Sequence, residues 1–376
     1  MTDKNETNSS EQHAQADDIT MSGGGLYSLA TKGAKDVIDH ATPLVVDAIN
    51  ALNLDSSLTE FKMSDMGCAD GGTSLSMVEA ALNQVRQHAE HADISVVYSD
   101  QPRNDFNALV SIVHDLTDFD SYVKRIDRVY PLFSGSSFYL QAVPDNTLHL
   151  GFSATAMHWL STKPANITNH VHMVGASGEE LRAFSNQAKK DWETILACRA
   201  RELTSGGRLV LINFCRDSQG QYLGNTGGVN MFDNFNENWK EFLSQGIIND
   251  TEYENMTLPQ YYNTVEEFSD PLTNKSSDCY QAGLRLENIE TRVVPCPFAE
   301  EFKQHNDVQK FANGLIPTIR SWNESIFLAG LDSSRPLPER KQIIEDYYDT
   351  YRQQVVTAPQ EHGMGYVHAY KSIYKV

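Results

Sequence analysis

Two acidic residues, Asp65 and Asp100, each close a short apolar run and open a turn. In FKMSDMGCADGGTS (Phe61–Ser74) the run ends at Asp65, and Gly67, Gly71 and Gly72 follow before a helical pattern begins. Glycine lets the chain turn tightly and approach a ligand with no Cβ in the way. The helix start behind the turn offers unpaired N–H groups. In VVYSDQPRNDFNAL the second run ends at Asp100. An ionised carboxylate there accepts hydrogen bonds from both hydroxyls of a ribose, although it would also serve as the N-cap of the helix that follows. A nucleotide-bearing ligand satisfies both features, and two kinds compete. An aspartate at the turn repels a pyrophosphate but attracts a sulfonium–ammonium methyl donor. The third position of the G-x-G-x-x-G pattern is Ala69, with Asp70 beside it. These residues favour S-adenosylmethionine (SAM) over a nicotinamide dinucleotide, with a ligand-free tight turn as the remaining reading.

The elements that must position these residues alternate. Apolar spacing predicts a helix over Thr31–Leu52, bent at Pro43, and further helices near Ser74–Ala89, Phe106–Leu116, Gly178–Leu203, Met231–Gln245 and Pro338–Val356. Strands are expected at Phe61–Asp65, Ile94–Ser99, Leu148–Ser153, Arg208–Phe214, Glu290–Pro295 and Gly365–Tyr374. Such alternation implies an α/β fold with a mostly parallel sheet covered by helices on both faces. Residues 216–285, rich in Asn, Gly, Tyr and Ser, break the alternation and predict a helical cap, joined by parts of 300–335. Residues 1–20 are polar and acidic and are expected to be disordered, leaving 21–376 as the folded domain.

Composition narrows the function. With 50 Asp and Glu against 30 Lys and Arg, the formal net charge is −20. No basic run suits nucleic acid or an anionic membrane, and no apolar run reaches transmembrane length. The five cysteines are scattered without a C-x-x-C, which argues against a disulfide framework or a zinc site. His170 and His172 have the spacing of a metal pair but no third ligand nearby, so they are read as structural and no metal is expected. No signal-peptide core is evident, and a cytoplasmic enzyme is expected.

At DQPRNDFNAL the chain resembles a known family, the salicylic acid, benzoic acid and theobromine (SABATH) carboxyl methyltransferases, best described from plants. The resemblance rests on MSGGGLYS (Met21–Ser28), DMGCADGG, SDQPRNDFNAL (Ser99–Leu109), GSSFYLQAVPDNTLHLGFSATAMHWLS (Gly135–Ser161), CRARELTSGGRLVLINF (Cys198–Phe214) and LPQYYNTVEEF (Leu258–Phe268). It runs from about Met21 to the C-terminus and implies a Rossmann-like class I SAM-methyltransferase sheet under a helical cap. It implies a methyl transfer from SAM to the carboxylate of a small organic acid, giving a methyl ester. Asp65 and Gly67, with Thr73 where the plant loop has Asn, would hold the methionine part. Asp100 and Gln101 would bind the ribose, and Ser137 and Phe138 would line the adenine. Tyr27 and Thr31 would lie in the segment closing over the donor. Trp159 would donate its indole N–H to the substrate carboxylate beside His158, and Met231, Phe232 and Tyr261 would wall the rest of the acid. A homodimer is also implied.

The chain departs from the plant pattern on its first helix, where Ala34 replaces the glutamine that binds the carboxylate together with the tryptophan. Lys32 or Lys35 is a candidate replacement donor, against the reading of both as a solvated helix face. The departure keeps N- or S-methylation of a small molecule open as an alternative, ahead of a NAD-dependent oxidoreductase. A carboxylate is already ionised near neutral pH, since its ordinary pKa is about 4. Methylating it calls for positioning and for no general base. His158 would be needed as a base only for a less acidic nucleophile.

Overall fold

Each central strand carries apolar side chains on both faces, and helices cover both. The computed structural model describes residues 26–376, and the expected disordered tail lies outside the described residues. In chain order the elements are α1 (Leu26–Ala30), α2 (Lys32–Asn50), β1 (Glu60–Met66), α3 (Leu75–His88), β2 (Asp93–Ser99), α4 (Phe106–Val113), β3 (Val129–Ser134), β4 (Leu148–Ala154), α5 (Gly178–Glu202) and β5 (Leu203–Phe214). They continue with α6 (Met231–Ser244), α7 (Asp250–Asn255), α8 (Val265–Thr273), α9 (Asp278–Gln281), β6 (Leu284–Val294), α10 (Pro297–His305), α11 (Val308–Gly330), α12 (Leu337–Thr357) and β7 (Tyr366–Lys375). One seven-stranded sheet results, ordered β3-β2-β1-β4-β5-β7-β6. Pairings from β3 through β5 are parallel, and β7 runs antiparallel to both β5 and β6. This is the Rossmann-like methyltransferase sheet that the resemblance implies.

The two faces have separate cores, as the period-two alternation of a strand requires. Along β5, Val210, Ile212 and Phe214 join one core with α2 and α3, while Leu209 and Leu211 join another with Trp192 and Phe268. Helix α2 presents Ala34, Val37, Ile38, Ala41, Val45, Ala48 and Ile49 at three- and four-residue spacing to the first core. It lies so close to β7 that a Cβ at Gly33 would sit 2.2 Å from the Tyr366 ring.

The sequence predicts six strands, and the structure has a seventh, β3. Its VYPLFS run is apolar, but the interior Pro131 argues against a strand, and its side chains are half-buried or exposed. An edge position, paired with β2 alone, tolerates both traits. Residues 216–285 split between two places. Helix α6 packs with α11 and α12 around an aromatic cluster, with Trp239 stacked on Tyr347 at 4.2 Å and Phe235 edge-on to Phe327 at 6.2 Å. Helices α8 and α9 instead pack against α5 and β6, where the Trp192 indole N–H donates to the Phe268 carbonyl at 3.1 Å. Among the described residues no helix is long and apolar enough to cross a membrane.

Candidate active site

Loops at the carboxyl ends of β1, β2, β3 and β4 converge with α1 and α2 on a cavity of about 1010 Å³, its mouth included. In an open parallel sheet the strand order reverses here, which leaves a crevice beyond the strand ends. At the β1 turn the Gly67 N–H donates to the Ser99 carbonyl at 2.8 Å, tying β1 to β2. Gly67 has φ +73°, and a Cβ there would meet the Ala156 Cβ at 2.5 Å and the Phe138 ring at 3.6 Å. Only glycine fits between those walls.

Asp100 grips the same turn from the β2 end. Its Oδ2 accepts the Ala69 N–H at 2.7 Å and its Oδ1 accepts the Gln101 N–H at 2.8 Å. Each carboxylate oxygen keeps further acceptor capacity for a ligand hydroxyl. Burial pushes the Asp100 carboxyl above its ordinary value, opposed by the two amide donors. The helix-cap alternative belongs to Asp105, whose side chain accepts from Ala108 N–H at the head of α4. Asn104 Nδ2 donates to the Ala69 carbonyl at 2.7 Å, so the NDF run also braces the glycine-rich turn.

The β3 loop carries Ser137 and Phe138 and hangs on a buried ion pair. Arg199 donates to the carbonyls of Phe138 at 3.0 Å and Leu140 at 2.8 Å and pairs with Glu202, which accepts the Ala142 and Val143 N–H groups. The two side chains are 0% and 1% exposed. Sequence reasoning passed over this pair. An arginine three residues from a glutamate late in a long helix ordinarily marks a solvated face, and only the tertiary fold buries it.

Across the cavity, Tyr27, Thr31 and Ala34 come from α1 and the start of α2. The Ser28 N–H donates to Asp70 Oδ2 at 2.9 Å and Thr318 Oγ1 bonds the Ala30 carbonyl, so α1 is fastened at both ends. Burial pushes the Tyr27 phenol up to about 12. The β4 loop supplies Thr155, Ala156, His158 and Trp159. The rest of the wall is Tyr139, Phe214, Leu223, Gln260, Thr318, Trp322, Met364 and Tyr366.

Of the residues expected at the site, the structure brings together Tyr27, Thr31, Ala34, Gly67, Asp100, Gln101, Ser137, Phe138, His158 and Trp159. It does not bring Asp65, Thr73, Met231, Phe232 or Tyr261 to the cavity wall. Asp65 lies beneath the turn and accepts the Ser74 hydroxyl at 2.6 Å at the head of α3. Its carboxyl is pushed up to about 7, chiefly by burial. Thr73 is buried in that turn. Met231 and Phe232 stand one layer behind, Phe232 stacked on His172 at 3.8 Å. Tyr261 packs away from the cavity and donates to Glu267 at 2.9 Å. Lys32 is exposed, and Lys35 pairs with Asp39 at 2.6 Å. His170 bonds Asp233 at 3.1 Å, and no cluster of three metal-ligating side chains occurs among the described residues.

The site fits a cationic nucleoside donor. Among the described residues Asp100 is the one carboxylate on the wall, and neither lysine nor arginine lines it. Asp70, bonded to Ser28 of α1, lies just behind and adds negative potential where a positive ligand would sit.

Comparison with known proteins agrees. The family described as SAM dependent carboxyl methyltransferase matches residues 17–374. Loganic acid O-methyltransferase of Catharanthus roseus is 26% identical over 274 residues, covering 68% of this chain and 70% of that protein. The salicylate/benzoate carboxyl methyltransferase of Arabidopsis thaliana is 24% identical, covering 71% and 73%. The solved structure of a loganic acid methyltransferase with SAH superposes with a TM-score of 0.75 over 94% of this chain and 98% of that one, at 22% identity. The chain belongs to the SAM-dependent carboxyl methyltransferases. It transfers a methyl group from SAM to a carboxylate and releases a methyl ester.

Two variants probe the donor end. Each hydrogen bond to the charged Asp100 group contributes about 1.5–3 kcal/mol. Asp100→Ala should therefore weaken S-adenosylhomocysteine at least about tenfold by calorimetry while leaving acid binding nearly intact, and equal losses for both would contradict the ribose role. Arg199→Met strands a buried glutamate at a cost of about 3–5 kcal/mol. It should lower the thermal midpoint and the S-adenosylhomocysteine affinity together; a change in stability alone would sever the pair from the β3 loop.

Proposed function

We propose that the acceptor is a small acid with a flat apolar body, seated with its carboxylate against Trp159 and its body among Phe214, Leu223, Trp322, Met364 and Tyr366. The observation that carries this is a chamber walled by aromatic and aliphatic groups with no basic side chain. An acid entering such a chamber finds its counter-charge in the methyl donor. Bound in the Asp100 half, SAM supplies an electrophilic methyl on a sulfonium, and nucleophile and cation neutralise each other on transfer.

The side chains then have separate roles. Asp100 and Gln101 hold the ribose, Ser137 and Phe138 flank the adenine, and Gly67 leaves room for the methionine end. Tyr27 and Thr31 close over the donor. Trp159 orients the carboxylate by an N–H, which fixes the nucleophile without deprotonating it. His158 backs Trp159, their rings 5.2 Å apart, with Phe214 edge-on at 4.7 Å. Burial holds the His158 imidazole down at about 3. A base that weak is poorly matched to work at neutral pH, which suits an acceptor that arrives ionised. A cytoplasmic homodimer completes this reading; the five free cysteines, four of them buried, suit a reducing compartment.

Screening benzoate, salicylate, loganate and farnesoate with labelled SAM tests the reading. At least one should yield a base-labile methyl ester, and label appearing only on amines or thiols would overturn it. His158→Asn should keep a turnover that is flat above about pH 6, like the wild type, because neither the ionised acceptor nor a neutral imidazole titrates there. A wild-type limb near neutrality that the variant lacks would assign His158 a proton transfer. Stability should respond in the acid range. The folded-state pKa of His158 lies below its ordinary 6.5, so its contribution is whole above 6.5 and is lost as pH falls towards 3. Denaturant midpoints measured between pH 8 and 4 check this, and His158→Asn should flatten their decline.

A further inference from the structure

The loop before α8 meets the β4 loop at a single antiparallel bridge, Trp159 opposite Gln260. The Tyr261 N–H donates to the His158 carbonyl at 3.0 Å, and the Leu160 N–H donates to the Pro259 carbonyl at 2.8 Å. With those bonds on either side, Trp159 and Gln260 form the narrow, non-hydrogen-bonded kind of pair. Cα atoms in such a pair lie about 4.5 Å apart and side chains share one face. Both residues line the cavity.

The Gln260 side chain is fully buried, and its two ends are treated differently. The Tyr262 hydroxyl donates to Gln260 Oε1 at 3.0 Å, and the same side chain meets the buried His172 imidazole. Among the described residues Gln260 Nε2 has no hydrogen-bond partner. Buried amide N–H groups are seldom left unpaired, because desolvating them without compensation is unfavourable. The acceptor chamber has a matching deficit, since Ala34 offers no donor and Lys32 and Lys35 point elsewhere.

We propose that Gln260 donates its amide N–H to the acceptor carboxylate beside Trp159, so that two neutral donors on neighbouring strands grip the acid. This rests on the carboxylic acceptor of the preceding section. Neutral donors orient both oxygens without a guanidinium or ammonium that would compete with the donor's cation for the anion. Tyr262 acts as a positioning residue by holding the amide in its donor-inward orientation.

The test compares the wild type with Gln260→Leu, Gln260→Glu and Tyr262→Phe, using whichever acid of the screen turns over fastest and its methyl ester as probes. Gln260→Leu should raise KM for the acid or the Kd of the acid on the S-adenosylhomocysteine complex roughly tenfold. Ester affinity should hardly change, so the preference for acid over ester falls by the same factor. Gln260→Glu should lose more, and Tyr262→Phe should lie between wild type and Gln260→Leu. S-adenosylhomocysteine affinity should stay within about twofold in all three. Adding Ala34→Gln to Gln260→Leu restores a donor on the opposite wall and should recover part of the preference. Equal weakening of acid and ester, or none, would overturn the Gln260 role while leaving the carboxylic acceptor standing. A wild type that binds and methylates none of the acids would overturn both.

Discussion

A carboxylate withdrawn from water, Asp100, holds this site together. Its two oxygens accept the amides of Ala69 and Gln101, so the turns after β1 and β2 are joined through one side chain. An isolated buried charge is unfavourable, and Asp70 close behind adds to the negative potential. The fold tolerates the arrangement because backbone N–H groups face Asp100. In the proposed donor pose, affinity for the methyl donor and relief of this electrostatic strain are the same interaction seen from two sides.

The acceptor half follows the opposite logic. Among the described residues no lysine or arginine lines it, and burial disfavours charge on the histidines around it. His158, His172 and His368 are all buried with their pKa values pushed down, chiefly by desolvation. Their rings pack on Phe214, Phe232 and Tyr262, His172 stacked on Phe232 and the others tilted or edge-on. A chamber of this kind discriminates by shape and by a few N–H directions, and it leaves the charge balance to the pair of reactants. Differential binding of the transition state then comes from geometry held in advance.

Much of this was legible in the residues, and the gaps have physical causes. The acidic residues ending β1 and β2, with glycines between, were visible because a ligand-binding turn needs special backbone conformations. His158 and Trp159 of the HWLS segment line the cavity. Asp65 was read as a ligand contact, but its place one layer beneath the turn depends on Ser74, which no spacing rule reveals. The resemblance placed Tyr261 on the wall, whereas the structure puts its neighbour Gln260 there. In an extended segment adjacent side chains face opposite ways, and a bridge to Trp159 decided the register. The Arg199–Glu202 pair was invisible because an ion pair at this helical spacing signals a solvated face, whereas tertiary packing buries it. The edge strand β3 was invisible because Pro131 interrupts its apolar run, which an edge position tolerates.

Tyr27, Thr31 and Ala34 stand on consecutive turns of one N-terminal segment and border a single cavity that serves both reactants. Helix α1 is tied to the glycine-rich turn through Ser28 and to α11 through Thr318, which itself faces the chamber. Ordering this segment around one reactant therefore shapes the wall offered to the other. Whatever factor the nucleoside gains from the acid, the acid gains from the nucleoside. By the same coupling, demethylated donor lingering after turnover would hold the ester in the chamber as well.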